Sequence, residues 1–472
     1  MWQRVFSVIV LLGGAFPAAA QPANEPIKLT IRPAAAPVPA LKYELLPDGK
    51  DLTPGNAAQL YYRAYSPEWY SWVKAPGMAE KIEKALQTPL HELAALNLNF
   101  LLTDKLLHEV DLAARREYCD WEFTPRIKAE GLGMVLPDVQ GFRTIAKLLA
   151  VRARLQMAQG HFDDAVYTLQ TGYALGRHVG DAPIFICSLV GIAIAQVMNA
   201  QVEELIRCPG SPNLYWALAD LPRPFVSLRK AGGAEKLWLE AELPIIKDLD
   251  VTRLGPQQQK ALLEQMQRLF QPSSNGHDSD WQASLVLLVG AIKAYPEAKS
   301  ALIAAGRKPA EVEAMPVLVV VTIHSLQQYR QLLDDLLKWH AFPYWQAAAG
   351  MWQAQKRVHD ARINSRGILK EGYPFIQFLP ATQKIFAATA VLERRLAALQ
   401  CIEAVRLFAA GHDGRLPATL KDITEVPVPI DPMTGQQFGY RVEGDKAFLV
   451  GEGPSDLPPG MNAVRYELIL KR

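Results

Sequence analysis

The side chains best suited to chemistry in this 472-residue chain are scattered, and each small cluster has a structural reading beside its chemical one. His91-Glu92 and His108-Glu109 each set an imidazole beside a carboxylate, the donor types of a zinc centre. Neither continues as H-E-x-x-H and the spacing places no third ligand, so no metal centre is read from them. Cys119 stands next to Asp120 and Trp121. A neighbouring negative charge raises a thiol's pKa and blunts it as a nucleophile, so capping and packing explain this trio better. His277, Asp278 and Asp280 form a loose cluster in PSSNGHDSD, residue types that suit a solvated loop and a helix cap. His324 lies on the apolar side of a helical pattern, the usual setting of a hydrogen-bonded core histidine. The chain has no G-x-S-x-G elbow, Walker loop, dinucleotide glycine pattern or paired C-x-x-C. No catalytic or cofactor-binding residue is therefore assigned, although groups distant in sequence can converge in space.

Aromatic side chains crowd residues 56–73, with Tyr61, Tyr62, Tyr65, Trp69, Tyr70 and Trp72. Such rings can hold sugars or bases. Tyr61, Tyr65 and Trp69 would also line one side of a helix, unless Pro67 turns the chain, and core packing is the favoured reading.

The elements that would position these groups are mostly helices. From Gly141 to Arg207 three helical patterns follow one another, broken at Gly160 and again before Ile184. Phe142, Ile145, Leu148, Leu149 and Leu155 mark the first, Phe162, Ala165, Val166, Leu169 and Tyr173 the second. The third is apolar almost all round at its start, so it is expected to be covered on several sides. Further helices are expected at 78–96 with a break at Pro89, 101–117, 234–270 with interruptions, 281–295, 316–340, 344–362 and 381–410. LKYELLP, residues 41–47, reads as a short strand. Residues 438–442 and 447–450 alternate around Glu443-Gly444-Asp445 as a hairpin, and 464–470 as one more strand. The fold class is thus mainly α: a multi-helix bundle or solenoid-like body over 41–371, then a small α+β segment over 372–472.

Residues 1–20 carry Arg4, an apolar run from Val5 to Phe16 and PAAA before Gln21, the layout of a secretory signal peptide. The chain is expected to be exported, periplasmic or extracellular, with no transmembrane span after cleavage. A Pro/Ala-rich lead-in over 21–40 would be extended, either mobile or laid along a surface. A net charge of +2 gives no electrostatic case for nucleic acid. Export permits disulfides among Cys119, Cys187, Cys208 and Cys401. Cys187 and Cys208 sit about 30 Å apart along one helix. Cys119 with Cys208 stays open, and the reading without a disulfide is favoured.

Three resemblances follow from particular residues. ARLQMAQGHFDDAVYTL, from Ala153 to Leu169, resembles one tetratricopeptide hairpin, with Gly160 at the turn and Ala165 allowing close helix approach. Gly411, Asp413, Gly414, Pro417 and Leu420, then Asp431, Pro432, Thr434, Gly435, Phe438 and Tyr440, resemble the globular part of type II secretion pseudopilins. That resemblance implies a calcium site on oxygen ligands, with Asp431 and Thr434 as the candidates; the alternative is that they only shape a turn. The chain as a whole, with LKYELLP, CDW and PGSPNLYWAL, is similar to uncharacterised exported proteins of planctomycete bacteria, which implies location and architecture but no activity.

Two functional expectations remain. The first is an exported helical scaffold that binds an envelope protein or peptide. The second is a cell-envelope hydrolase, for example on glycans, which would need two carboxylates about 5–10 Å apart in one pocket.

Overall fold

A computed structural model describes residues 25–66, 71–72, 75–130, 139–247, 249, 254–270, 280–364, 374–380, 382–453, 457 and 463–471. The expected signal peptide lies outside these residues, as do Trp69, Tyr70, His277 and Asp278. The chain is mainly helical with a small sheet completed by its last strands, as its patterning predicts.

Strand β1 (Ile27–Ile31) comes first, then β2 (Thr53–Asn56) and α1 (Ala57–Ala64). Asn56 caps α1 by accepting from the Ala58 amide at 3.1 Å, which satisfies one of the helix's free donors. Helices α2 (Met78–Gln87) and α3 (Lys105–Ala114) follow, with Asp104 capping α3 through the Leu106 and Leu107 amides. Strand β3 (Arg116–Tyr118) pairs in parallel with β2, and α4 (Phe123–Glu130) completes this region.

The centre is α5 (Val139–Ala158), α6 (Phe162–Gly180) and α7 (Phe185–Arg207). Gly160 makes the α5–α6 turn at φ +75°, a conformation that costs other residues strain. A Cβ on Gly191 would lie 2.5 Å from the Gly176 carbonyl oxygen and from Gly180 Cα, so α6 and α7 cross with their backbones in contact. Helix α8 (Tyr215–Ala219) then leads to a second group: α9 (Arg229–Glu242), α10 (Pro256–Phe270), α11 (Asp280–Ala304), α12 (Pro309–Glu313), α13 (Val317–Leu337) and α14 (Tyr344–Asn364). The long α15 (Thr382–Gly411) returns to the centre and packs on α7 and α8. Strands β4 (Gly439–Glu443), β5 (Lys446–Glu452) and β6 (Ala463–Leu470) end the fold.

The sheet order is β1-β6-β5-β4, with β1 parallel to β6 and the other pairs antiparallel. Leu29 and Ile31 of β1 are fully buried, so part of the expected surface lead-in is a core strand. Its Ile-x-Leu-x-Ile alternation is short, and the Pro/Ala composition that follows masks it. Residues 41–47 are not a strand. Lys42 and Tyr43 reach Asp163 at the start of α6 instead, at 3.0 and 2.7 Å.

Two apolar cores result. One joins β1, α5–α7, the later part of α15 and the sheet; the other gathers α9–α14 with Ile385 and Phe386 of α15. The buried interior therefore runs across the expected 371/372 boundary. Polar ties reinforce that continuity: Arg395 of α15 holds Glu203 of α7 at 2.8 Å, and Tyr466 of β6 donates to the same carboxylate at 2.7 Å.

Candidate functional site

A hydrolase needs a carboxyl group that faces a cleft with a lone pair or proton to spare. Among the described residues several of the buried acids are held by other side chains or by backbone amides. Arg152 grips Asp111 through both guanidinium nitrogens at 2.6 and 2.9 Å, and Thr171 donates to the same carboxylate at 2.8 Å. Arg406 donates from one terminal nitrogen to both oxygens of Glu403 at 2.9 Å, and from the other to the Ser211 hydroxyl and carbonyl. Glu203 is held by Arg395 and Tyr466, and Glu467 by Lys446 at 2.8 Å. Glu393 accepts from the Phe225 amide at 2.7 Å, although burial still raises its carboxyl. The pairs that join separate elements, such as Arg152–Asp111 and Arg395–Glu203, fix helices against one another, because removing either partner strands a charge in low dielectric.

Asp431 belongs to this group. Its Oδ1 accepts from Arg394 Nε at 3.0 Å and from the Met433 amide at 2.8 Å, and the side chain is 2% exposed. Thr434 accepts from the Gln436 amide at 3.3 Å, and Gly435 donates to the Asp431 carbonyl at 2.8 Å. The two residues thus build a turn tied to Arg394 through Asp431 Oδ1, while Asp431 Oδ2 is buried without a hydrogen-bond partner among the described residues.

The other sequence candidates are dispersed. His91 is exposed and lies 3.4 Å from Glu92; Glu109 pairs with Arg63 at 3.1 Å rather than with His108. His324 is buried and lies 3.3 Å from the Gln328 amide nitrogen, as expected of a core histidine. No group of three or more His, Cys, Asp or Glu capable of holding a metal occurs among the described residues. The four cysteines are free, and burial followed by Asp120 pushes the Cys119 thiol well up, so it is not activated. Tyr61 is fully buried, stacked on Trp121 with centroids 5.7 Å apart. Its hydroxyl meets His178 Nδ1 at 3.0 Å, and burial holds that imidazole down at about 4. These rings are core. Helix α7 is long and apolar enough to cross a membrane, yet 67% of its apolar window is buried inside the protein.

One concave feature combines volume with charge. Between α9 and α13 lies a cavity of 280 Å³ whose walls include Leu239, Ile246, Leu326, Tyr329 and Leu333. Close approach is set at one end by Gly232, where a Cβ would come within 2.9 Å of Leu337. Two ion pairs bridge the walls: Lys236–Asp334 at 2.6 Å and Arg330–Glu240 at 3.9 Å. Beside them Glu235 makes no hydrogen bond or ion pair among the described residues, and burial raises its carboxyl to about 8. Burial and then Glu235 raise the Tyr329 phenol in turn.

Sequence reasoning passed over this cleft because its walls come from helices far apart in the chain. A signal was present nonetheless: Leu228, Ala231, Glu235 and Leu239 recur at helical spacing, which puts an acid on the buried stripe of α9. Comparison of the chain with protein-family models, with curated proteins and with solved structures finds no match in any of the three.

Proposed function

We propose that the chain is an exported helical scaffold of the cell envelope that binds a protein or peptide segment, and not a hydrolase. The observation that carries this reading is the occupation of the buried carboxylates. Asp111, Glu203, Glu403 and Asp431 are each paired with an arginine, which suits a rigid framework rather than acid–base chemistry. The carboxylates that line the α9–α13 cleft, Glu240 and Asp334, are each engaged by a cation, Arg330 at 3.9 Å and Lys236 at 2.6 Å, whereas glycoside hydrolysis by the usual route needs two available acids. The cleft itself has apolar walls and both signs of charge at its sides, the lining expected for one or two side chains of an extended peptide. Export rests on the layout of residues 1–20.

The test compares binding with turnover. Titration of the purified protein with a peptide library should find ligands whose binding has a negative heat-capacity change, the mark of apolar burial. Leu239→Asp or Leu333→Asp should abolish that binding. Hydrolysis of a glycan or ester by the wild type, lost in Glu235→Gln, would reverse the assignment.

A further inference from the structure

The C-terminal sheet ends at a strand whose outer side is unused. In the order β1-β6-β5-β4, β4 has β5 on one side and no strand on the other. Glu443 and Lys446 flank the two-residue turn Gly444-Asp445 and so form a hydrogen-bonded pair, as do Arg441 with Phe448 and Gly439 with Val450. That alternation points the N–H and C=O groups of Tyr440 and Val442 away from β5. Neither residue's backbone meets a hydrogen-bond partner there among the described residues.

The side chains alternate with the same period. Tyr440 and Val442 turn inward and pack, half-covered, on the main core. Arg441 and Glu443 stand on the outer face, 67% and 54% exposed, paired with each other at 2.8 Å. The Arg441 guanidinium also lies 4.4 Å from the centroid of the Phe448 ring. Natural edge strands are blunted by proline, by a bulge or by charge that repels a second strand. The sequence GYRVE has no proline, its register with β5 is unbroken, and its two charges have opposite sign.

We propose that β4 is a dimerisation edge, on which a second copy of this chain pairs its own β4 in antiparallel fashion about a two-fold axis at Val442. Charge complementarity selects both the occupant and the register. With the axis at Val442, the two Val442 residues exchange N–H···O=C bonds, and each Arg441 stands opposite the partner's Glu443. That facing pair is of the non-hydrogen-bonded kind, with Cβ atoms about 5 Å apart. Glu443 of the same strand is farther, about 7 Å along the chain, so the existing ion pair extends into a row of four charges of alternating sign. An axis moved to Arg441 sets the two arginines against each other, which like charges resist. On the inner side the two Val442 side chains meet and cover one another. A five-residue strand buries little area, so the dimer is weak, with a Kd of about 10–100 µM. This edge is separate from the α9–α13 cleft and stands or falls independently of it.

The test is sedimentation velocity of the purified protein over about 1–500 µM, a range that brackets the expected Kd. The wild type should pass from monomer to dimer. Val442→Pro should stay monomeric, because it deletes an amide that points outward and takes no bond from the β4–β5 ladder. Arg441→Glu and Glu443→Arg should each weaken association by about tenfold or more, since each sets like charges across the axis. Mixed in equal amounts, these two variants should associate with each other as the wild type does, because each then faces its opposite charge. Recovery on mixing has no explanation in a damaged fold, and it keeps the test decisive if Val442→Pro melts early. A wild type that stays monomeric throughout overturns the proposal. So does a dimer that survives Val442→Pro or Arg441→Glu, or a mixture of the two charge variants that fails to associate.

Discussion

Replacing Glu235 by glutamine should stabilise the protein in alkaline solution and not in acid. Burial lifts the Glu235 carboxyl from an ordinary 4.5 to about 8. Between those values the unfolded chain has released its proton while the folded chain still holds it. The folded state therefore binds the extra proton, and stability falls as pH rises through the window. At about 1.4 kcal/mol per pH unit, the ceiling on that loss is roughly 5 kcal/mol. The side chain keeps some contact with solvent, which moderates the penalty, so about 2–3 kcal/mol is the expected loss. Glutamine has no proton to release. The stability gap between variant and wild type should then be small and constant below about pH 4.5, widen in favour of the variant up to about pH 8, and level off above it. Urea unfolding followed by tryptophan fluorescence across that range measures the gap directly. Parallel stability curves for the two proteins would refute the burial argument. A gap that widens toward acid would refute its sign.

Other perturbations probe the ties between helices. Asp111→Ala should lower stability by about 3–5 kcal/mol because it leaves Arg152 and Thr171 facing an empty, buried position, and Arg152→Ala should cost a similar amount. The double variant should cost clearly less than the sum in the same denaturation assay. Gly435→Val should destabilise by about 1–3 kcal/mol and shift tryptophan emission, since a Cβ there meets the Trp345 ring and φ is +71°. Millimolar calcium should leave the melting temperature unchanged if the Arg394–Asp431 pair is the only role of this turn, and a rise that Asp431→Ala abolishes would establish the calcium reading.

Local periodicity carried the helices well. The three central patterns fold as α5, α6 and α7, the break at Gly160 is a positive-φ turn, and the 438–450 alternation is the β4–β5 hairpin. What the sequence hid depends on partners elsewhere in the chain. Ile27–Ile31 is a strand only because β6 offers it an edge, and β2 exists only as the partner of β3. Arg394, Arg395, Glu403 and Arg406 interrupt the apolar pattern of α15, yet all four are buried or nearly so, each in an ion pair whose partner the helical pattern does not reveal. The cleft was invisible for the same reason, since α9 and α13 supply its walls from separate stretches. Asp431 and Thr434 were recognisable as a turn; the guanidinium facing them was not.

The parallel pairing of β1 with β6 gives the protein a removable seam. Every bond in that ladder joins the first described element to the last, so closing it requires the loop entropy of the whole intervening chain and comes late in folding. Until it closes, or whenever it opens, β6 presents a bare edge beside the apolar pockets that Leu29 and Ile31 would fill. An extended segment from another molecule could occupy that same slot by strand addition. A peptide copied from residues 25–33 would compete for it, and the rate at which such a peptide enters would report how often the native strand lets go.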